Sequence, residues 1–298
     1  MTAEACAYKP KKASTTEALD FNGFKLNVRY WGAPNAPPLV MLHGGRDASA
    51  TFQFVVDALK REWRIIAPDW RGHGESSRAA EGYWFQDFLR DLDRIVDRLL
   101  PGRPFPLAGH SLGGNMAMLY AGLRPERVTR LVSLDGFGLP DGDPVNAPAY
   151  LRRWLDGWRD FDSSEKAYTA LSEMAARLVQ ANPKLPLDKA LFLAAHVSRE
   201  IGVGRFAWSF DPMHRIPFGT MHRRAEWFEI VRHVTASTLF IGSNTPFPPR
   251  LAAEEGGLAA RFALVKGSRY ERIEGAGHNF HHEQPERVAA LIEEHIAG

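Results

Sequence analysis

Ser111 stands in the stretch LAGHSLGG, with Gly109 and Gly113 two positions on either side of it. Where a buried strand turns sharply into a helix, the residue at the turn is strained and its neighbours pack too closely for large side chains. The spacing therefore predicts a serine raised above the carboxyl end of a strand. The amide of Leu112 would open the following helix and could donate to developing negative charge. Ser111 is thus a candidate nucleophile, and the Leu112 amide is a candidate for one of the two donors of an oxyanion hole.

A base for this serine is available in the stretch EGAGHNFHHEQPE. His278 lies there on a glycine-flanked loop between a predicted strand and the last predicted helix. Such a loop can carry an imidazole above the edge of a sheet, where it meets a serine from another loop. We therefore predict that His278 is the general base.

Short apolar runs surround these residues, each ending in Gly, His or Asp: PPLVMLHGG, WRIIAPDWRGHG, PFPLAGHS and VTRLVSLDG. Strands buried on both faces of a parallel sheet have this character. Helical patterns at 52–62, 83–100 and 112–123 separate the runs, and STLFIGS, a helix near 250–262, SRYERIEG and PERVAALIEEHI continue the alternation. Upstream, Asn22-Gly23 between two alternating segments predicts an antiparallel hairpin at the sheet edge.

Residues 144–232 interrupt the alternation with a largely helical, aromatic-rich pattern. We interpret this segment as a cap inserted into an α/β core of residues 18–143 and 233–298, preceded by a polar tail of residues 1–17. Most of its rings are expected to pack within the cap, while RFAWSFDPMHR suggests an apolar pocket. The aromatic residues are Tyr150, Trp154, Trp158, Phe161, Tyr168, Phe192, Phe206, Trp208, Trp227 and Phe228.

From about residue 20 onward the chain resembles the α/β-hydrolases. The resemblance is carried by MLHGG after the third strand, APDWRGHGES after the fourth, GHSLGG at the turn, and GAGHNFHHEQPERV before the last helix. It implies an eight-stranded, mostly parallel sheet with a helical cap. It also implies that the amide of Gly45 is the second oxyanion donor, beside that of Leu112. A glycine there fits, because it lets the backbone approach a substrate closely.

The remaining histidines are expected to be structural. The resemblance implies packing and loop-holding roles for His43 and His110, and a structural turn around His73. His281 and His282 follow the base closely, but no carboxylate or cysteine stands at a convincing spacing for a metal site. The sequence therefore predicts neither a metal nor another cofactor.

The acid that should orient the histidine is not where this family commonly places it. After the seventh strand, Gly242 is followed by Ser243, Asn244 and Thr245, and an asparagine cannot stabilise an imidazolium. Asp135 stands instead at the end of the sixth strand, where haloalkane dehalogenases of this fold carry their acid. It preserves the chain order nucleophile, acid, histidine. We predict Asp135 as the acid, over a turn-forming role for its Asp-Gly pair and over two weaker carboxylates, Glu274 and Asp211.

A serine, a histidine and two oxyanion amides are the equipment for acyl transfer to water. The leading interpretation is an esterase acting on a small-molecule substrate. Thioesterase, lactonase, haloperoxidase-like and carbon–carbon hydrolase activities use the same residues and stay open. A binding or receptor protein that keeps the hydrolase shell is the alternative of another class, and the missing acid after the seventh strand favours it.

Composition excludes several other classes of protein. The 298 residues are 45% hydrophobic and 24% charged with a formal net charge of +2, which is typical of a globular protein and gives no reason to expect nucleic acid as a partner. No run approaches the roughly 18 apolar residues of a membrane helix. The single cysteine, Cys6, excludes an internal disulfide. We expect a cytoplasmic protein.

Overall fold

The computed structural model describes residues 7–244, 248–249, 251, 254 and 256–298. Its central sheet has eight strands in the order β1-β2-β4-β3-β5-β6-β9-β10. The strands of this sheet are β1 (Ser14–Phe21), β2 (Phe24–Trp31), β3 (Pro38–Leu42), β4 (Arg64–Pro68), β5 (Phe105–His110), β6 (Val128–Leu134), β9 (Ser237–Gly242) and β10 (Arg269–Arg272). Two further strands, β7 (Ser198–Gly202) and β8 (Arg205–Trp208), lie outside it. From β4 to β10 the sheet is parallel, so the carboxyl ends of these strands meet at one edge. The predicted eight-stranded, mostly parallel sheet is confirmed.

The antiparallel edge of the sheet is the predicted hairpin. β1 pairs with β2 in antiparallel register, and the turn residues Asn22 and Gly23 have φ of 58° and 85°. Asparagine and glycine tolerate this left-handed conformation, which explains why the pair is a reliable turn signal. β1 begins at Ser14, however, so the last residues of the predicted polar tail belong to the sheet.

Helices cover both faces of the sheet. They are α1 (Gln53–Ala58), α2 (Phe85–Leu99), α3 (Leu112–Leu123), α8 (Gly257–Phe262), α9 (Phe280–Glu283) and α10 (Pro285–Ala297). One apolar core includes residues of α2 and α3, and a second, on the other face, includes residues of α1 and α10. The helix predicted at 52–62 is shorter than expected, and part of the one predicted near 250–262 lies outside the described residues.

The segment between β6 and β9 contains α4 (Ala147–Arg159), α5 (Leu171–Ala181), α6 (Leu187–His196) and α7 (Arg224–Arg232). It also contains a two-stranded antiparallel sheet of β7 and β8 that the sequence did not predict. α7 packs on α3, with Trp227 and Val231 in the same core as the first face of the sheet. The boundary predicted at residue 232 therefore cuts off a helix that packs with the core.

The insertion is joined to the core around Asp211. Its amide donates to the Gly72 carbonyl at 2.7 Å, and its carboxylate accepts a hydrogen bond from Tyr83 Oη at 2.8 Å. His214 stacks on the Tyr83 ring, with 3.7 Å between centroids. Asp211 therefore holds the insertion in place through these hydrogen bonds and makes no hydrogen bond to His278 in the described part of the chain.

The N-terminal segment also fastens the two parts together. Tyr8 Oη donates to Asp57 of α1 at 2.9 Å, and the Lys12 amide donates to the same carboxylate at 2.7 Å. The Tyr8 amide donates to the carbonyl of Asp188 in α6 at 3.0 Å. Residues of the predicted polar tail therefore bridge a core helix and a helix of the insertion.

Candidate active site

Ser111 occupies the sharp turn between β5 and α3. Its φ of 53° and ψ of −114° lie outside the regions that ordinary residues favour. The Ser111 amide donates to the Leu134 carbonyl at 2.8 Å, and the Ser111 carbonyl accepts from Asn115 at 3.0 Å. These bonds on both sides hold the strained residue at the end of the strand, as the sequence predicted.

The glycines around the turn are needed for space. A Cβ on Gly109 would lie 2.3 Å from the Gly113 carbonyl oxygen, and a Cβ on Gly113 would lie 2.1 Å from the Leu42 carbonyl oxygen. Both distances are far inside van der Waals contact. Glycine is required at these two positions because α3 packs closely against β3 and β5.

Asp135 follows β6 directly and is 2% exposed. Its φ is 49°, and its amide donates to the Ile241 carbonyl at 2.9 Å. Ser243, just after β9, donates to the carboxylate from both its amide (3.3 Å, Oδ1) and its hydroxyl (3.0 Å, Oδ2). A buried carboxylate is thereby fixed in one orientation by the neighbouring strand.

His278 meets this carboxylate. Its Nδ1 lies 3.0 Å from Asp135 Oδ2. A carboxylate only accepts hydrogen bonds, so Nδ1 carries the proton and Nε2 is left with the lone pair. The loop that carries His278 is held by the Gly277 amide, which donates to Glu283 at 3.0 Å.

Ser111 and His278 line the same cavity, but Ser111 Oγ makes no hydrogen bond to another residue of the described part of the chain. Catalytic hydrogen bonds are often long without substrate and tighten when it binds. The structure thus joins two of the three predicted residues by direct contact and brings the third to the same cavity.

Asn244 does not take part in this contact. It is exposed, and its side-chain amide donates to Glu274 Oε2 at 2.9 Å. Asn244 and Glu274, two of the residues weighed above as alternatives to Asp135, are therefore hydrogen-bonded to each other. Thr245 lies outside the described residues.

The loop after β3 carries the second predicted oxyanion residue. His43 accepts from the Trp70 amide at 3.0 Å, and Trp70 Nε1 donates to the His43 carbonyl at 2.8 Å. The Arg46 amide donates to His73 Nε2 at 3.0 Å. Gly45 between them lines the cavity, and a Cβ there would meet nothing within 4 Å. Packing does not require glycine at this position, so its value is the space it leaves beside Ser111.

A cavity of about 580 Å³ opens above these residues, between the core and the insertion. Ser111, Leu112, Gly45, Asp135 and His278 all line it. About half of the other lining residues are apolar, namely Phe85, Phe88, Leu139, Leu178, Ala181, Leu185, Leu193, Val197, Trp208, Phe218 and Pro248, and most of the others are polar or charged, such as Arg46 and Asp47. Of the aromatic residues singled out in the cap sequence, Trp208 is the one that reaches the cavity within the described part of the chain.

Comparison with known proteins identifies the family of this chain. A sequence profile of the alpha/beta hydrolase fold matches residues 37–285. The chain belongs to the α/β-hydrolase family. A serine hydrolase-like protein of Danio rerio is 33% identical over 63% of this chain and 59% of its own length. Serine hydrolase-like protein 2 of Homo sapiens is 26% identical over 89% of this chain and 88% of its own.

Among solved structures, a thioesterase domain from the curacin biosynthetic pathway superposes on this α/β-hydrolase with a TM-score of 0.83. It is 24% identical and the match covers 95% of this chain and 99% of that one. The likeness is one of fold. Within the described part of this α/β-hydrolase, the helices are all too short or too polar to cross a membrane.

Several buried histidines surround the site of this α/β-hydrolase in the neutral form. Burial lowers the pKa of His214 to about 4 and that of His282 to about 3. Burial, followed by the charge of His278, holds the pKa of His110 well below its ordinary value.

One group of polar residues near the site escaped sequence reasoning. The ligand atoms of Asp47, His110 and His281 lie within 4.8 Å of one another. The sequence offered His281 with His282 and lacked a carboxylate. Asp47 supplies one from a distant loop, which no spacing along the chain could reveal.

Proposed function

We propose that this α/β-hydrolase is a serine hydrolase that cleaves a carboxylic ester of a small apolar substrate through an acyl-enzyme. The observation that carries the proposal is the 3.0 Å contact between Asp135 Oδ2 and His278 Nδ1, beside a cavity that Ser111 also lines. The contact supports a working acid–base pair even though the loop after β9 offers no aspartate.

In this mechanism Ser111 Oγ attacks the ester carbonyl while His278 Nε2 takes its proton. Asp135 stabilises the imidazolium that forms. The amides of Leu112 and Gly45 stabilise the oxyanion of the tetrahedral intermediate. His278 then gives its proton to the leaving alcohol, and a water repeats the sequence on the acyl-enzyme to release the acid.

The cap and the cavity support an apolar substrate. Leu178, Leu185 and Leu193 reach the cavity from helices or loops of the insertion, and Trp208 and Phe218 add aromatic surface. The apolar part of such a pocket favours an acyl chain or an aromatic group, while its polar residues fix the orientation of the substrate. We propose residues 144–232, apart from α7, as the lid of this pocket.

Thioesters, lactones and carbon–carbon bonds are cleaved by the same equipment, so they are variants of this proposal. The binding or receptor function differs in class. It was favoured by the missing acid after the seventh strand, and the position of Asp135 beside His278 removes that support.

The proposal is tested by the rate at which a fluorophosphonate labels Ser111. We expect fast labelling of the natural chain, none of Ser111→Ala, and a fall of roughly 10³- to 10⁴-fold in Asp135→Asn, because the imidazolium loses its stabilising charge. Asn244→Ala is the matched control and should label at the natural rate. An unreactive natural chain would overturn the hydrolase proposal, and unchanged labelling of Asp135→Asn would remove Asp135 from it.

A further inference from the structure

A second polar cluster lies immediately behind the proposed base and is not used by the mechanism. It consists of Asp47 from the loop after β3, His110 at the end of β5 and His281 in α9. His110 is 2% exposed, His281 is fully buried and Asp47 is half-buried. Three separate segments of the fold thus converge on one small volume.

The histidines of this cluster have unused nitrogens. His110 Nε2 lies 2.9 Å from the carbonyl oxygen of His278, so it donates there and its Nδ1 carries a lone pair. That Nδ1 is buried without a hydrogen-bond partner among the described residues, as are both ring nitrogens of His281. An unpartnered buried polar atom is destabilising, so native structures rarely leave one without a reason.

Two other buried histidines beside the site differ from those of the cluster in their hydrogen bonding. His43 and His73 each have both ring nitrogens in hydrogen bonds. Their surroundings are complete without a ligand. Among the buried histidines beside the site, unpartnered ring nitrogens are thus found at His110, at His281 and at the adjacent His282, whose Nε2 also has no hydrogen-bond partner among the described residues.

We propose that Asp47, His110 and His281 form a site for a divalent transition-metal ion of the Zn²⁺ type. Two neutral imidazoles and one carboxylate are ligands that Zn²⁺ accepts, with water in the fourth position. Tetrahedral ligands about 2.1 Å from the metal stand about 3.4 Å apart, so the cluster has to close by about 1 Å through side-chain rotation. Asp47 and His110 also line the active-site cavity, which gives the ion a path of entry.

The site is coupled to the base through His110. Its ring centroid is 4.7 Å from that of His278, and its Nε2–H holds the His278 carbonyl. Drawing His110 Nδ1 onto a metal moves this hydrogen bond and with it the loop that presents the base. On the proposed function, bound metal therefore slows the reaction of Ser111.

Binding is tested first, without reference to activity. The full chain, free of any polyhistidine tag and treated with a chelator, is titrated with Zn²⁺ by calorimetry and with Co²⁺ by visible absorption. We expect about one equivalent to bind, with the intense band of tetrahedral Co²⁺, and the same result in Ser111→Ala. Affinity should fall at least tenfold in His281→Phe and in the milder Asp47→Asn, but not in the exposed control His233→Gln.

Absence of Zn²⁺ binding, or equal affinity in Asp47→Asn and His281→Phe, would overturn the site. If His281→Phe fails to fold, Asp47→Asn alone decides. The coupling is tested by fluorophosphonate labelling with and without Zn²⁺. We expect at least tenfold slower labelling that a chelator restores, and insensitivity to Zn²⁺ in Asp47→Asn. Binding without any change in labelling would overturn the coupling. A natural chain that binds Zn²⁺ but never labels would overturn the proposed function and leave the site standing.

Discussion

At the scale of single residues, the candidate site depends on how Asp135 is held. The carboxylate is buried at the end of β6 and faces three donors: the Ser243 amide, the Ser243 hydroxyl and His278 Nδ1. Hydrogen bonds to a charged group contribute about 1.5–3 kcal/mol each, more than those between neutral groups. Ser243 lies where the loop after β9 begins, so this loop still supports the acid although it does not supply it.

The Ser243 hydroxyl should therefore matter for turnover. In Ser243→Ala we expect kcat/KM to fall about 10- to 100-fold, because one charged hydrogen bond that orients Asp135 is lost. Ser243→Thr, which keeps a hydroxyl, should recover most of the activity. Thr238→Val on the same strand is the control, since Thr238 Oγ1 donates to the Ala236 carbonyl and not to Asp135. A Ser243→Ala enzyme with natural kinetics would show that Asp135 needs no such support.

Some of these residues were visible in the sequence and others were not. Ser111 was predictable because its glycines are a local steric requirement, and His278 because its loop follows a strand. Asp135 was predictable once strand ends were aligned at one edge of the sheet. The contact of Ser243 with Asp135 and the cluster of Asp47, His110 and His281 join residues that are distant along the chain. The sequence around each of these residues therefore could not predict them.

At the scale of elements, the turn between β5 and α3 fixes the height of Ser111 above the end of the strand. α3 can approach β3 and β5 only because Gly109 and Gly113 lack side chains. Backbone then packs on backbone, and a buried helix starts directly at the end of a central strand. The strain at Ser111 is balanced by this packing.

Gly113→Ala should accordingly be strongly destabilising. Its Cβ would meet the Leu42 and His43 carbonyl oxygens at 2.1 and 2.7 Å, and backbone cannot yield as a side chain can. We expect a loss of at least about 3 kcal/mol, seen as a fall in Tm of roughly 6–12 °C or as insoluble protein. Gly45→Ala, with no atom within 4 Å of the added Cβ, is the control and should melt within about 2 °C of the natural chain. Equal melting temperatures for both variants would contradict this account.

Elements with strong local signals were predicted well. The hairpin at Asn22-Gly23, the buried parallel strands and α3 follow from turn chemistry and apolar runs. β7 and β8 were missed because most of their residues are partly or fully exposed and neither strand alternates cleanly. The contacts of the polar tail could not be predicted from its own sequence, because they are made with Asp57, a residue of a distant helix that binds Tyr8 and Lys12.

At the scale of the whole molecule, the insertion makes one half of the cavity wall. Side chains of the sheet edge supply the polar floor, and the insertion supplies much of the apolar lining. The interface that joins the two parts is itself polar and aromatic, around Asp211, Tyr83 and His214. Substrate preference is therefore a property of the assembled parts and not of either alone.

Acyl-chain preference should follow from this lining. For p-nitrophenyl esters from acetate to hexanoate we expect kcat/KM to rise two- to fourfold for each methylene, because burying one contributes up to about 0.8 kcal/mol. Thioesters with the same acyl groups serve as the matched series, since they change the bond and keep the chain. A flat or falling profile in both series would contradict an apolar acyl pocket.

The contact between Asp135 and His278 joins residues 143 positions apart, and the whole insertion lies between them along the chain. During synthesis the serine and its acid emerge first, then the lid, and only afterwards the base. Domains fold as units, so the contact between Asp135 and His278 can form only after the insertion between them has been made. On the proposed function, Ser111 therefore acquires its base later than the segment that would cover it.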